Sequence, residues 1–160
     1  MAVTQVEESV VVHADADNVY DVVSDPGNYA TWSPEATGVK RLSGEGAYRV
    51  GDTFRGRNHI WFTWSTDCTV VVAERPRHFA FKVSYARVPI ARWEYLLEPG
   101  PDGTTRVTER WSDLRSGIPG VIVKAAAASV GRGFDAATRN RSTMATTLDA
   151  LRAQLERTNS

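Results

Sequence analysis

The chain has one cysteine, Cys68, among its 160 residues. A lone thiol cannot close a disulfide within the chain, so the fold must rest on packing, and the composition fits a reducing, cytoplasmic setting. No apolar run approaches the roughly 18 residues of a membrane span, and no charged-then-apolar leader opens the sequence, so neither stable membrane insertion nor a secretory signal is expected. Net charge is missing too. Lys+Arg and Asp+Glu number 19 each, which leaves no global field to draw the chain onto DNA or another polyanion. Histidines are few: His13, His59 and His78 fall on different strands or loops without metal-ligand spacing, and neither a metal nor a cofactor is expected. Gly-x-Ser-x-Gly, Walker and dinucleotide-binding patterns are lacking; Gly44-Glu45-Gly46 reads as a turn and Gly131-Arg132-Gly133 as a hinge after a helical stretch. Without repeats or low-complexity linkers, residues 1–160 read as one domain.

What is present is an order of elements. Gln5 to His13 alternates and then becomes a valine run, a first strand. Asp15 is placed to cap a short helix whose apolar face is Val19, Val22 and Val23 beside Tyr20, and Asn28 to Trp32 forms a second, ended by Ser33-Pro34. Thr37 to Leu42 is a second strand. Five more follow at hairpin spacing, over Asp52–His59, Thr63–Ala73, His78–Tyr85, Ala91–Glu98 and Thr104–Asp113, broken at Arg75-Pro76-Arg77, Arg87-Val88-Pro89 and 99–103. No helix-length segment separates these five, so they are antiparallel neighbours. Pro119-Gly120 opens a helical tail that Gly131 and Gly133 kink or break. The long helix proper carries Met144, Leu148, Leu151 and Leu155 on one stripe. The class is α+β: a seven-stranded antiparallel sheet wrapped around a long C-terminal helix, with two short helices after strand one. A curved sheet and one helix seldom fill the space between them, which predicts a pocket.

The largest apolar residues phase each strand. Phe54 brings Gly56 and Asn58 inward; Trp64 brings Thr66, Cys68, Val70 and Val72; Phe79 brings Phe81, Val83 and Tyr85. Trp93 brings Tyr95 and Leu97, and Val107 with Trp111 brings Glu109. Arg55, Arg57, Lys82, Arg92, Glu94, Arg106, Thr108 and Arg110 fall on the wetted side. Asn58 and Glu109 are anomalies on an apolar face, and Asn140 shares the stripe of Met144 one turn on. Two readings stand. In one, Asn58, Glu109 and Asn140, with the Tyr20 and Tyr95 hydroxyls, are polar points in an apolar cavity. In the other, Glu109 pairs with Arg139 or Arg141 and Asn58 satisfies a strand edge, since a bare buried carboxylate costs several kcal/mol. Cys68 reads as a small packing group. The tips His59-Ile60-Trp61-Phe62 and Val88-Pro89-Ile90 either gate the pocket or meet a surface, or they pack under the segment 117–128.

Gly51-Asp52-Thr53-Phe54-Arg55-Gly56-Arg57-Asn58 followed by Trp64 resembles the Gly-x-x-Phe-x-Gly-x-Asn…Trp pattern of bacterial polyketide cyclase/dehydrase-like proteins, of the START and birch-pollen-allergen-like (SRPBCC) superfamily. Asp25-Pro26…Tyr29…Trp32-Ser33-Pro34, the stretch from Gly103 to Glu109, and Asn140…Met144…Thr147-Leu148 are similar to that family's segments. The resemblance runs from about Val10 to Glu156. It implies the helix-grip fold, the same architecture the element order gives, and members that range from aromatase/cyclases to carriers and sensors of hydrophobic ligands.

Three functions are therefore expected in competition. The first is a binder of a lipid-like, polyketide or other aromatic molecule, held by Tyr20, Trp32, Phe54, Asn58, Trp64, Phe79, Phe81, Trp93, Tyr95, Trp111, Asn140 and Met144. The second is a polyketide cyclase or dehydratase with Glu109 as acid/base and an inward carboxylate whose pKa its apolar walls would raise. The third is a macromolecular-interaction module using the basic residues Lys124, Arg132, Arg139 and Arg141; from Leu114 onward seven Lys/Arg face three Asp/Glu. Monomer and homodimer both stay open.

Overall fold

Asp15 begins the first helix for a local reason: its Oδ1 accepts the Asn18 backbone N–H at 2.9 Å, satisfying a donor that the first turn would leave orphaned. In the computed structural model, which describes residues 4–115 and 136–158, that helix is α1 (Ala16–Val23). Asp25 then accepts from Gly27 N at 3.0 Å and starts a 3₁₀ turn, Pro26–Asn28, leading into the single turn α2 (Tyr29–Trp32). The strands are β1 (Gln5–Val12), β2 (Ala36–Arg41), β3 (Thr53–His59), β4 (Thr63–Glu74), β5 (His78–Tyr85), β6 (Val88–Pro99) and β7 (Thr105–Asp113). They form one antiparallel sheet in the order β1-β7-β6-β5-β4-β3-β2, so the first two strands of the chain lie at opposite edges. The long helix α3 (Ala136–Thr158) crosses the inner face and packs chiefly on β1. This is the helix-grip arrangement. The expected tail opening at Pro119, the kink at Gly131 and Gly133, and Lys124 and Arg132 lie outside the described residues.

The stripe on α3 does what its spacing dictates: Met144, Leu148, Leu151 and Leu155 are all buried, each burial worth roughly 1.5–3 kcal/mol. With Val6, Val12, Val19, Val23, Val107 and Leu97 they make the core beneath β1, β7 and α1.

Three local features depart from simple alternation. First, β6 begins at Val88 rather than after Pro89. Ala86 and Arg87 both take positive φ (48° and 67°), the geometry of a two-residue hairpin turn, and Tyr85 pairs directly with Val88. Pro89 is tolerated because the register shifts between Val83 and Ser84 at that point. Second, a register shift between Val70 and Val72 reverses the phase of β4. Ala73, not Val72, is the partner of inward Phe79, and Val72 pairs with Ala80 on the other face. Third, Glu94 is not a wetted residue: it is 7% exposed, held by His78 Nε2 at 2.9 Å and Arg92 Nη2 at 3.0 Å. These two donors, Arg92 two residues back on β6 and His78 diagonally across on β5, compensate the buried carboxylate.

Candidate functional site

The inner face of the sheet carries its largest rings in cross-strand register, Phe81 opposite Trp93 and Trp93 opposite Trp111. Residues this large hold α2 and α3 away from the sheet's centre, and a cavity of about 240 Å³ remains. One wall is Phe54, Phe81, Trp93 and Trp111; Trp64 and Asn58 stand where β3 and β4 approach their hairpin. Tyr29 and Trp32 of α2 close a second wall. Their rings lie 5.1 Å apart edge-to-face, with Tyr29 stacked on Phe81 at 5.8 Å and Trp32 against Tyr95 at 6.1 Å. From α3, Arg139, Asn140, Thr143 and Thr147 add to the lining, at the three- and four-residue steps of one helix face.

Of the residues expected to contact a ligand, the structure brings Trp32, Phe54, Asn58, Trp64, Phe81, Trp93, Tyr95, Trp111, Asn140 and Glu109 to this one cavity. Tyr20, Phe79 and Met144 are placed elsewhere. Tyr20 and Phe79 meet edge-to-face at 6.3 Å beneath α1, where Arg75 covers the Tyr20 ring at 5.5 Å, so they form packed core behind Phe81. Met144 is wholly buried but belongs to the stripe beside the Asn140–Thr147 row, not to the row itself. Periodicity assigns a face, whereas the cavity occupies only part of that face. Sequence reasoning passed over Thr143 and Thr147, which their spacing from Asn140 could have found, and also Tyr29, Glu35 and Arg115 at the cavity wall.

Glu109 is the polar centre. It is 4% exposed; Oε1 accepts from the Tyr95 hydroxyl at 3.0 Å, and Oε2 has no hydrogen-bond partner among the described residues. Burial raises its pKa from 4.5 to about 8, with the Tyr95 hydrogen bond acting in the opposite direction. Burial thus favours the neutral, protonated acid. Burial likewise pushes the Tyr95 and Tyr29 hydroxyls well up, and Glu109's charge would add to both. The Tyr29 hydroxyl is already committed, donating to Val23 O at 2.8 Å. The indole Nε1 of Trp32, also deeply buried, is a second polar atom without a partner among the described residues.

The arginines expected as partners for Glu109 go elsewhere. Arg139 Nε lies 3.2 Å from Glu35 Oε1, and Arg141 reaches Glu8 on β1 at 3.5 Å. Burial lowers the Arg139 pKa against the pull of Glu35. Cys68 lines the cavity but is inert in character, its thiol pushed up to about 12 by burial. Among the described residues no three His, Cys, Asp or Glu side chains gather around a point that could hold a metal ion, and no helix is long and apolar enough to cross a membrane. At the β3–β4 tip, Trp61 is 62% exposed and Ile60 and Phe62 are exposed beside it. Phe62 continues the aromatic surface outward from Trp64 at 5.1 Å, so the tip adjoins the cavity mouth.

Solved structures with this architecture span several descriptions. A polyketide-cyclase-like protein of Corynebacterium glutamicum is 30% identical, with 97% of this chain and 93% of that one aligned and a TM-score of 0.60. An aromatase/cyclase of a Streptomyces species is 17% identical over 99% of this chain and 97% of its own, at a TM-score of 0.66. A START superfamily protein of Mycobacterium smegmatis is 18% identical over 96% and 97%, at 0.65. The latter two likenesses establish the fold alone. No curated protein matches the chain. Residues 3–156 match the profile of the family described as polyketide cyclase/dehydrase and lipid transport. That match covers nearly the whole sequence and the entire cavity, and the chain belongs to the polyketide cyclase/dehydrase and lipid transport family.

Proposed function

We propose that this protein binds a small hydrophobic molecule, ring-containing or acyl, in the cavity between the sheet and α3. The observation that carries the reading is unfilled space walled by Trp32, Phe54, Phe81, Trp93 and Trp111. An interior selected only for stability would close on itself at close-packed density. The size narrows the ligand. About 240 Å³ exceeds the roughly 150 Å³ void that holds one benzene and falls below the roughly 300–1,000 Å³ of drug-sized sites. One or two rings, or a short acyl chain, fit; an extended polyketide would need the walls to part. A ligand at a hundred times its Kd stabilises by about 2.7 kcal/mol, roughly 5–11 °C in Tm for a domain of this size. A panel of mono- and bicyclic aromatics and short-chain lipids is expected to contain compounds that raise Tm by this much and quench tryptophan fluorescence. If none does either, the reading falls.

A second reading, cyclase or dehydratase chemistry, draws on Glu109 alone. A neutral carboxylic acid with a pKa near 8 and a free oxygen can give a proton to a carbonyl and later take one back. Glu109→Gln would then abolish turnover of a short poly-β-ketone analogue while folding persists; unchanged turnover removes Glu109 from the chemistry. The interaction-module reading draws no support from Arg139 and Arg141, whose charges are taken up by Glu35 and Glu8.

A further inference from the structure

Gly56 stands on the inward face of β3 between Phe54 and Asn58, and all three line the cavity. Its partner on β4 is Thr66, buried and lining the same space. The backbone does not ask for glycine here: the residue lies within a strand, and its φ falls outside the positive range that side chains avoid. The packing does not ask for it either. A Cβ on Gly56 would meet no atom closer than Thr66 Oγ1 at 3.7 Å and Asn58 Nδ2 at 4.0 Å, ordinary van der Waals contact with two groups of the cavity wall. A glycine inside a strand weakens it, through extra chain entropy and a side chain that is not there to pack. What it leaves is room, and that room is part of the cavity.

We infer that Gly56 sets the size of the ligand, and that the space over it holds the second ring of a bicyclic aromatic molecule. The inference rests on the ligand-binding reading and deepens it by naming the ligand's class. A valine side chain comprises three carbon groups, each close to the roughly 30 Å³ of a water molecule in the liquid. At this position it would occupy about 90 Å³ of the cavity's 240 Å³ and leave about 150 Å³, the size of a void that holds a single benzene. The difference between one ring and two is therefore the volume that the glycine leaves open. Phe54 two positions before it and Trp64 diagonally across on β4 flank that volume with aromatic side chains, which suits a ring more than a flexible chain.

The test measures binding of phenol and 2-naphthol by calorimetry to the full wild-type chain, to Gly56→Ala and to Gly56→Val, with Tm recorded for each. The wild type should bind both and prefer 2-naphthol. Gly56→Ala should weaken 2-naphthol about threefold and Gly56→Val about tenfold or more, the scale on which a filled pocket rejects a ligand one group too large. Phenol should lose far less, so the preference for the larger probe collapses. Gly56→Ala should melt no lower than the wild type, because its methyl has space and the strand loses a glycine. A role in packing alone would move Tm and leave the preference in place. The size-setting role is overturned, with the cavity left standing, if Gly56→Val keeps the wild-type preference, or if the wild type takes phenol and refuses 2-naphthol. It is also overturned if Gly56→Ala melts well below the wild type. Should Gly56→Val not fold, the preference of Gly56→Ala decides. Failure of both probes to bind the wild type overturns the binding reading as well.

Discussion

Replacing Glu109 with Gln should make the protein's stability less sensitive to pH, in a defined direction and window. Folding moves this carboxyl from a pKa of 4.5 to about 8. Between those values the folded protein holds a proton that the unfolded chain has released, so the folded state binds more protons and its stability declines as pH rises. At about 1.4 kcal/mol per pKa unit, the full shift corresponds to about 5 kcal/mol, and the part that falls between pH 5 and pH 8 is about 3–4 kcal/mol. The substituted amide would present nearly the same volume and a donor but no ionisation. The stability of Glu109→Gln minus that of the wild type should therefore climb from pH 5 to pH 8 and level off above it. Other titrating groups are shared by the two proteins and cancel in the difference. In a domain of this size the change corresponds to roughly 7–14 °C in the difference between the two Tm values. Urea titrations or thermal melts at half-unit pH steps read it directly. Parallel curves across the window would refute the reasoning, because they would mean that the carboxylate is ionised in the folded protein and has a partner.

Two further outcomes follow from the same structure. Cys68, its thiol pushed up to about 12 by burial, should resist a disulfide-exchange reagent at pH 8 in the native protein and react fully in urea; fast native labelling would place it against solvent. Gly44→Ala should destabilise by about 1–3 kcal/mol by denaturant midpoint, since Gly44 has φ +80° and a Cβ there meets the Asp52 carboxylate that binds Arg41 at 2.8 Å; Gly46→Ala, with φ +67° and open space, should cost less.

The sheet was legible because its signals are local. Alternation around Phe54, Trp93 and Val107, the Asp15 cap and the turn residues each act within a few positions, and β5 falls at His78–Tyr85 as its pattern predicts. Where the reading departed from the structure, the cause was an event that alternation cannot encode. The bulge at Val70–Val72 resets the phase of β4, and the Ala86–Arg87 turn carries Pro89 into a strand. Glu94 looked solvated because its companions, His78 across the hairpin and Arg92 two residues earlier, hydrogen-bond it only once β5 and β6 pair. The site was half legible for a related reason. Facing inward is written in the strand period, but where along the inner face the helices stand off depends on how Tyr29 and Trp32 brace against Phe81 and Tyr95, contacts between segments 52 and 63 residues apart.

The placement of β1 and β2 at opposite margins bears on how the molecule is made. Ser9 and Thr108, whose side chains meet at 2.8 Å, are 99 positions apart. At typical translation speeds of about 5–20 residues per second, the leading segment waits roughly 5–20 s for its mate to be synthesised, whereas each intervening hairpin can zip in microseconds. Gln5–Val12, with its run of valines, thus emerges early and is captured last. Over that interval its bare backbone is a ready template for another nascent copy, so yield in the cell depends on how that one segment is shielded before closure.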